Sequence, residues 1–151
     1  MRATDQFHAG IVVDDLEGAQ AELTELFGYQ WCAPIAVSTP VTLPAGDMVL
    51  DLVFAYSMDT PRLEVIRSIP ETLWTPVPGS GIHHLGYWSD DVATDSSLLT
   101  GHGFPAEATG TRPDGPPSWA YHRRPDGPRI EIVSRDLQPA LEQYWATGST
   151  R

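Results

Sequence analysis

The sequence predicts an α+β fold built from two tandem β-α-β-β-β modules. Three observations lead there. The two halves of the chain resemble each other, each half opens with a strand pattern followed by a helix pattern, and the halves meet in a run of chain breakers.

The resemblance is specific in order and spacing. Phe7-His8-Ala9-Gly10-Ile11-Val12-Val13-Asp14-Asp15-Leu16 overlies His83-His84-Leu85-Gly86-Tyr87-Trp88-Ser89-Asp90-Asp91-Val92 at an offset of 76 residues. A histidine, a glycine and an Asp-Asp pair coincide. Phe27-Gly28-Tyr29 then overlies His102-Gly103-Phe104 at an offset of 75. Each half closes on a similar strand, Arg62-Leu63-Glu64-Val65-Ile66-Arg67 in one and Arg129-Ile130-Glu131-Ile132-Val133-Ser134 in the other.

In the first module, Phe7–Val13 is apolar and β-branched, which predicts a strand. Asp14 and Asp15 suit a helix N-cap. Leu16, Ala19, Leu23 and Leu26 recur at helical spacing, and Gly28 is a natural stop. Three strands are then expected, near Trp31–Val37, Met48–Ser57 and Arg62–Ser68. The second module repeats this with a strand at Ile82–Ser89, a weaker helix at Asp91–Thr100, a short strand near Glu107, and strands at Trp119–Arg123 and Arg129–Ser134. The last two are joined by Pro125-Asp126-Gly127, which is strong turn chemistry. A final helix over about Leu137–Trp145 would pack Leu141, Tyr144 and Trp145 against the body. The expected organisation is a single domain, with module one at about residues 5–68, a linker at about 69–81, module two at about 82–135 and a C-terminal helix at about 137–146.

Composition narrows the function classes. The 151 residues carry a formal net charge of −11, which opposes binding to phosphate backbones and to anionic membrane surfaces. With one cysteine, Cys32, neither an internal disulfide nor a cysteine zinc site can form, and a partly buried structural thiol is expected. The N-terminal residues lack the apolar core of a signal peptide, and no stretch approaches the roughly 18 apolar residues of a membrane span. A soluble cytoplasmic protein is expected.

Chemistry concentrates at four strand positions. Side chains alternate between the faces of a strand. His8, Gly10 and Val12 share one face, and Phe7, Ala9, Ile11 and Val13 share the face that packs under the helix. His84, Gly86 and Trp88 share a face in the second module. Glu64 and Glu131 sit opposite in parity to their apolar neighbours. All four polar residues therefore fall on the face away from the helices. Each would be expensive to bury without a partner. Two imidazoles and two carboxylates converging on one concave face can share a divalent ion, so His8, Glu64, His84 and Glu131 are the candidate metal ligands. Gly10 and Gly86, two residues after each histidine, would leave space beside that metal.

These motifs, namely Phe-His-Ala-Gly-Ile-Val-Val-Asp-Asp-Leu, Leu-Glu-Val, His-His-Leu-Gly-Tyr and Pro-Asp-Gly-Pro-Arg-Ile-Glu-Ile, resemble the vicinal-oxygen-chelate (VOC, glyoxalase-like) superfamily over nearly the whole chain. That resemblance implies a cup-shaped mixed sheet around one divalent metal ion (Ni, Co, Mn, Zn or Fe), with a ligand from the first and last strand of each module. The order His, Glu, His, Glu is similar to that of bacterial glyoxalase I. Methylmalonyl-CoA epimerase is similar too, but usually has Gln at the position of Glu64.

The resemblance implies a metal-dependent isomerase, epimerase or lyase that moves a proton next to a carbonyl through a metal-stabilised enolate. Glu131 or Glu64 would serve as the base, and Asp47 lies near where epimerases of the family carry a further carboxylate. The alternatives are a protein that sequesters a small molecule, as resistance members do, and a ring-cleaving dioxygenase. Dioxygenases typically use two histidines and one glutamate, so Glu64 argues against that last reading. Trp88, by its parity with His84, and Trp119, Tyr121 and Arg123, on one face of their strand, are expected to line the substrate pocket. Arg112–Ser118 is a candidate lid. The glutathione-contacting pattern of glyoxalase I is absent, and the substrate is expected to be a small carbonyl compound. Neither nucleic acid nor membrane is an expected partner, and a homodimer is compatible with the family's habits.

Overall fold

A computed structural model describes residues 1–112 and 115–149. The first half comprises β1 (Gln6–Val13), α1 (Leu16–Phe27), β2 (Ile35–Leu43), β3 (Gly46–Tyr56) and β4 (Leu63–Arg67). The second comprises β5 (Ile82–Ser89), α2 (Val92–Gly101), β6 (Ala106–Arg112), β7 (Gly115–Arg123) and β8 (Arg129–Ser134), followed by α3 (Gln138–Thr147). The β-α-β-β-β order thus occurs twice, and the eight strands curl into one closed, mixed sheet ordered β1-β4-β3-β2-β6-β7-β8-β5.

Each half contributes four neighbouring strands, and the halves meet along two seams. At one, β1 runs antiparallel to β5. At the other, β2 touches β6 only at Val41 and Thr42. Within each half the first and last strands lie parallel, β1 on β4 and β5 on β8. α1 lies against β4, and α2 against β7 and β8, so the helices cover the outside of the cup.

The helix signals act as their chemistry requires. Asp15 caps α1 by accepting from the Gly18 amide, and Gly28 ends it at φ 78°, a backbone region that costs glycine nothing. Asp91 caps α2 through the Thr94 amide.

The strands after each helix differ from expectation. β2 spans Ile35–Leu43 rather than Trp31–Val37, and Trp31 makes only a single bridge to Ser57. Pro40 sits within β2, where its missing N–H is tolerated because that strand's other edge is paired at just two residues. β6 and β7 are likewise longer than their sequence signals. Arg112 and Gly115–Ser118, placed in a candidate lid, are strand residues; Pro113 and Asp114 lie outside the described residues.

Two apolar clusters fill the interior. One holds Val12, Val41, Leu50, Leu52, Ile66, Trp74, Ala108 and Tyr121 inside the cup. The other joins Cys32, Tyr56, Trp88 and Val133 to Tyr144 and Trp145 of α3. Cys32 is a buried free thiol there. Among the described residues no helix is long and apolar enough to cross a membrane.

Candidate metal centre and the cavity beside it

The β1–β5 seam positions the four predicted ligands. Its register sets Gly10 beside His84 and Gly86 beside His8. The parallel neighbours add Glu64 beside Gly10 and Glu131 beside Gly86. Two rows therefore cross the floor of the cup, Glu64–Gly10–His84 and His8–Gly86–Glu131, related by the internal repeat. In each row the glycine lies between the two polar side chains.

The glycines serve a purpose that parity alone did not disclose. A β-carbon on Gly10 would lie 1.9 Å from His84 Cε1, and one on Gly86 would lie 1.9 Å from His8 Cε1. The space they leave is filled by the imidazoles themselves. Any side chain at either position would evict a histidine.

All four groups are buried and converge on one point. His8 Nε2 lies 2.8 Å from His84 Nε2 and 3.1 Å from Glu131 Oε2. His84 Nε2 lies 3.2 Å from Glu64 Oε2 and 3.4 Å from Glu131 Oε2, and His8 Nε2 lies 3.5 Å from Glu64 Oε2. The four donor atoms lie within 4.8 Å of one another. Donors held at roughly 2.0–2.2 Å from a shared cation are spaced on this scale. Glu64 Oε2 and Glu131 Oε2 are buried without a hydrogen-bond partner among the described residues. Two buried carboxylate oxygens left this way are costly unless a positive charge sits between them. The donor set thus fits a divalent cation.

The electrostatics agree. Burial alone would lower His8, but Glu131 and Glu64 carry it up to about 9. His84 is raised by the same two carboxylates against the opposing effect of burial. Burial pushes the Glu64 carboxyl up, and His8 and His84 more than reverse it, holding it well below the usual carboxylate range. Glu131 is lowered in the same way. Positive charge is what these carboxylates demand, from protons or from a metal.

His83, of opposite parity to His84, orients it. Its Nε2–H donates to the Leu73 carbonyl at 2.8 Å, and its Nδ1 lies 3.0 Å from His84 Nδ1. Burial, and then the charge of Arg129, lower His83 to about 3, so its Nδ1 is a bare acceptor. His84 must donate from Nδ1, which turns the Nε2 lone pair toward the shared centre. Ligating histidines are generally aimed by such a partner. The signal missed was sequence adjacency. A neighbour of opposite parity points away from the cup but still meets the next ring edge.

Tyr56 and Tyr121 complete the symmetry. Tyr56 pairs across strands with Glu64, and Tyr121 with Glu131. Their rings meet His8 and His84 edge-on at 5.4 Å and 5.1 Å. Burial, and then the glutamate charges, push both phenols well above their ordinary value, so they stay protonated. Tyr56 was readable had the repeat been carried into the third strand of each module.

An apolar cavity of about 300 Å³ opens onto this centre, with Glu64 and Glu131 at its floor. Trp119 and Tyr121 line it, together with Phe54, Tyr56 and Trp74. Trp74 comes from the linker and meets Trp119 and Tyr121 edge-on. α3 covers one side with Ala140, Leu141 and Tyr144, joined by Leu137 just before it.

Three predicted site residues lie elsewhere. Trp88 has the parity of His84 but sits four residues further along β5, where it stacks on Phe7 at 3.8 Å and packs under Trp145. Arg123 is exposed at the end of β7 and borders a separate cleft with His83 and Arg129. Asp47 is exposed at the start of β3, bonded by the Thr42 hydroxyl at 2.7 Å. Tyr56, at the far end of that strand, is the residue beside Glu64, so roughly 30 Å of extended chain separates Asp47 from the centre. Asp47 cannot reach a group bound there.

Comparison with known proteins bears on this architecture. A family model described as the glyoxalase/bleomycin resistance protein/dioxygenase superfamily matches residues 7–121. The chain belongs to that superfamily. Solved structures of similar fold include a methylmalonyl-CoA epimerase in complex with methylmalonyl-CoA and NH4+ (TM-score 0.59, 16% identity, covering 86% of this chain and 93% of that one). They also include a methylmalonyl-CoA epimerase from Mycobacterium tuberculosis (TM-score 0.59, 19% identity, 93% and 97% covered). A third is a hypothetical protein from Bacillus halodurans (TM-score 0.54, 15% identity, 86% and 93% covered). At these identities the shared property is the glyoxalase-superfamily fold. No curated protein matches the sequence.

Proposed function

We propose that this chain is a metal-dependent enzyme that moves a proton next to a carbonyl group, as an isomerase, epimerase or lyase. The observation that carries the reading is the convergence of His8, Glu64, His84 and Glu131 at the floor of an apolar cavity, with two carboxylate oxygens left unpartnered. The epimerase likeness of the fold supports it.

A divalent cation held by these four residues would act as a Lewis acid toward a carbonyl oxygen. The chain's own groups supply the rest. Glu64 and Glu131 are ionised and border the cavity from two sides, so either can take a proton from a carbon seated between them. One carboxylate delivering the proton to the neighbouring carbon on the same face gives an isomerisation; the second delivering a proton to the opposite face of the original carbon gives an epimerisation. Tyr56 and Tyr121 keep their protons and can donate hydrogen bonds to developing negative charge. Phe54, Trp74 and Trp119 seat the apolar part of the substrate and exclude water.

The test is solvent exchange. Protein loaded in turn with Mn, Co, Ni, Zn and Fe is incubated in D2O with carbonyl compounds bearing exchangeable α-hydrogens. Deuterium uptake that depends on metal and falls at least ~100-fold in Glu131→Gln supports the reading. No uptake with any metal contradicts it and favours the second reading, a protein that sequesters a small molecule, to which the α3-covered cavity is also suited.

A further inference from the structure

The cavity also constrains what enters it. We propose that the substrate is uncharged apart from its carbonyl end, with an aromatic or alicyclic body, and that it is neither a carboxylate nor a coenzyme A thioester. This rests on the reading above and narrows it to a substrate class.

The cationic side chains lie away from the cavity. The chain has no lysine, so its nine basic residues are all arginines. Among the described residues no arginine lines the cavity. Several are committed elsewhere. Arg129 is bonded to Glu107, and Arg135 to Asp5 and Asp90. Arg67 pairs with Glu17, and Arg124 with Asp126. Arg62 donates to the Ser57 carbonyl and lies 4.0 Å over the Trp145 ring. Arg123 opens on the separate cleft. A substrate carboxylate buried away from the metal end would find no partner, and an unpaired buried charge is strongly disfavoured.

The floor, once loaded, is close to neutral. Two glutamates balance one divalent cation and the imidazoles add nothing, so the loaded centre has no surplus positive charge to hold a distant anion. The net charge of −11 further opposes the phosphates of a nucleotide carrier.

The wall is apolar. Phe54, Trp74 and Trp119 give it flat aromatic faces, and Ile35, Leu52 and Ile66 fill between them. The phenols of Tyr56 and Tyr121 stand at the floor beside the glutamates. Polarity is therefore confined to one end, matching a molecule with oxygen at one end and an apolar remainder.

The experiment is an NMR titration of the zinc-loaded protein, read at the indole N–H signals of Trp74 and Trp119. The probes are 2-hydroxyacetophenone, the same compound bearing a carboxylate para to the hydroxyacetyl group, and free coenzyme A. The neutral ketol is expected to shift both signals saturably. The carboxylate should bind at least about tenfold more weakly, and coenzyme A should leave them unmoved. Ala140→Trp, on the exposed turn of α3 that borders the cavity, should abolish the shifts. Equal or tighter binding of either anion, or no saturable shift with the ketol, overturns the proposal. Repeating the titration without metal separates it from the catalytic reading. The aromatic seat still prefers the neutral probe if the substrate class is right, even if deuterium exchange fails.

Discussion

Gly10 and His84 face each other across the β1–β5 seam so closely that a β-carbon on Gly10 would lie 1.9 Å from His84 Cε1. Gly86 and His8 repeat the relationship. The imidazoles of His84 and His8 are therefore held in sockets made by the absence of side chains on the neighbouring strand.

Gly10→Ala and Gly86→Ala should each displace one histidine. Overpacking at such a site destabilises by ~1–3 kcal/mol, a modest loss for the fold. The loss of one ligand is larger for the metal, and affinity should fall at least ~100-fold. Thermal melts beside a zinc titration check this. Wild-type affinity in Gly10→Ala would show that the socket does not position His84.

His83→Ala should weaken metal binding by roughly 10–100-fold while leaving all four ligands in place. It removes the acceptor that points His84 Nε2 at the centre and leaves the buried Nδ1–H unpaired. Competition with a chelating dye measures the change, and ¹⁵N spectra of the histidines report the tautomer. A variant with unchanged affinity and an unchanged His84 tautomer would assign His83 no part in the site.

Metal and protons compete for the same groups. In the metal-free protein His8 keeps its proton up to about pH 9, because Glu131 and Glu64 outweigh burial. Zinc added at pH 7.5 should release about one proton from His8 and a further fraction from His84, and apparent affinity should climb with pH until about 9. The raised value also sets a stability window. In the metal-free protein the contribution of His8 is complete below its unfolded value of 6.5 and is lost as pH rises through about 9. Tm should therefore fall across that window without metal and hold steady with it. Calorimetry in lightly buffered solution and melts at stepped pH read both effects.

How much of this was legible from sequence follows from what each feature depends on. Strand parity and the internal repeat are properties of the chain itself, and they brought His8, Glu64, His84 and Glu131 together without coordinates. The role of Gly10 and Gly86 depends on the register between two strands 76 residues apart, which no local pattern encodes. Asp47 was misplaced because β3 is eleven residues long, and the hairpin through Pro40 carries its start far from the cup floor. Trp88 kept its parity but lies four residues beyond His84, stacked on Phe7, while Trp74, in a segment read as linker, folded inward to form the wall. The linker's breakers marked where regular structure stops, not where burial stops.

Four residues from four strands are expected to hold one metal ion, which elemental analysis by inductively coupled plasma mass spectrometry reads out. The wild-type protein, after reconstitution and desalting, should retain about one divalent transition metal per chain, and His84→Ala and Glu64→Ala should retain almost none. A wild-type protein that holds no metal, or variants that hold as much as the wild type, would contradict the account.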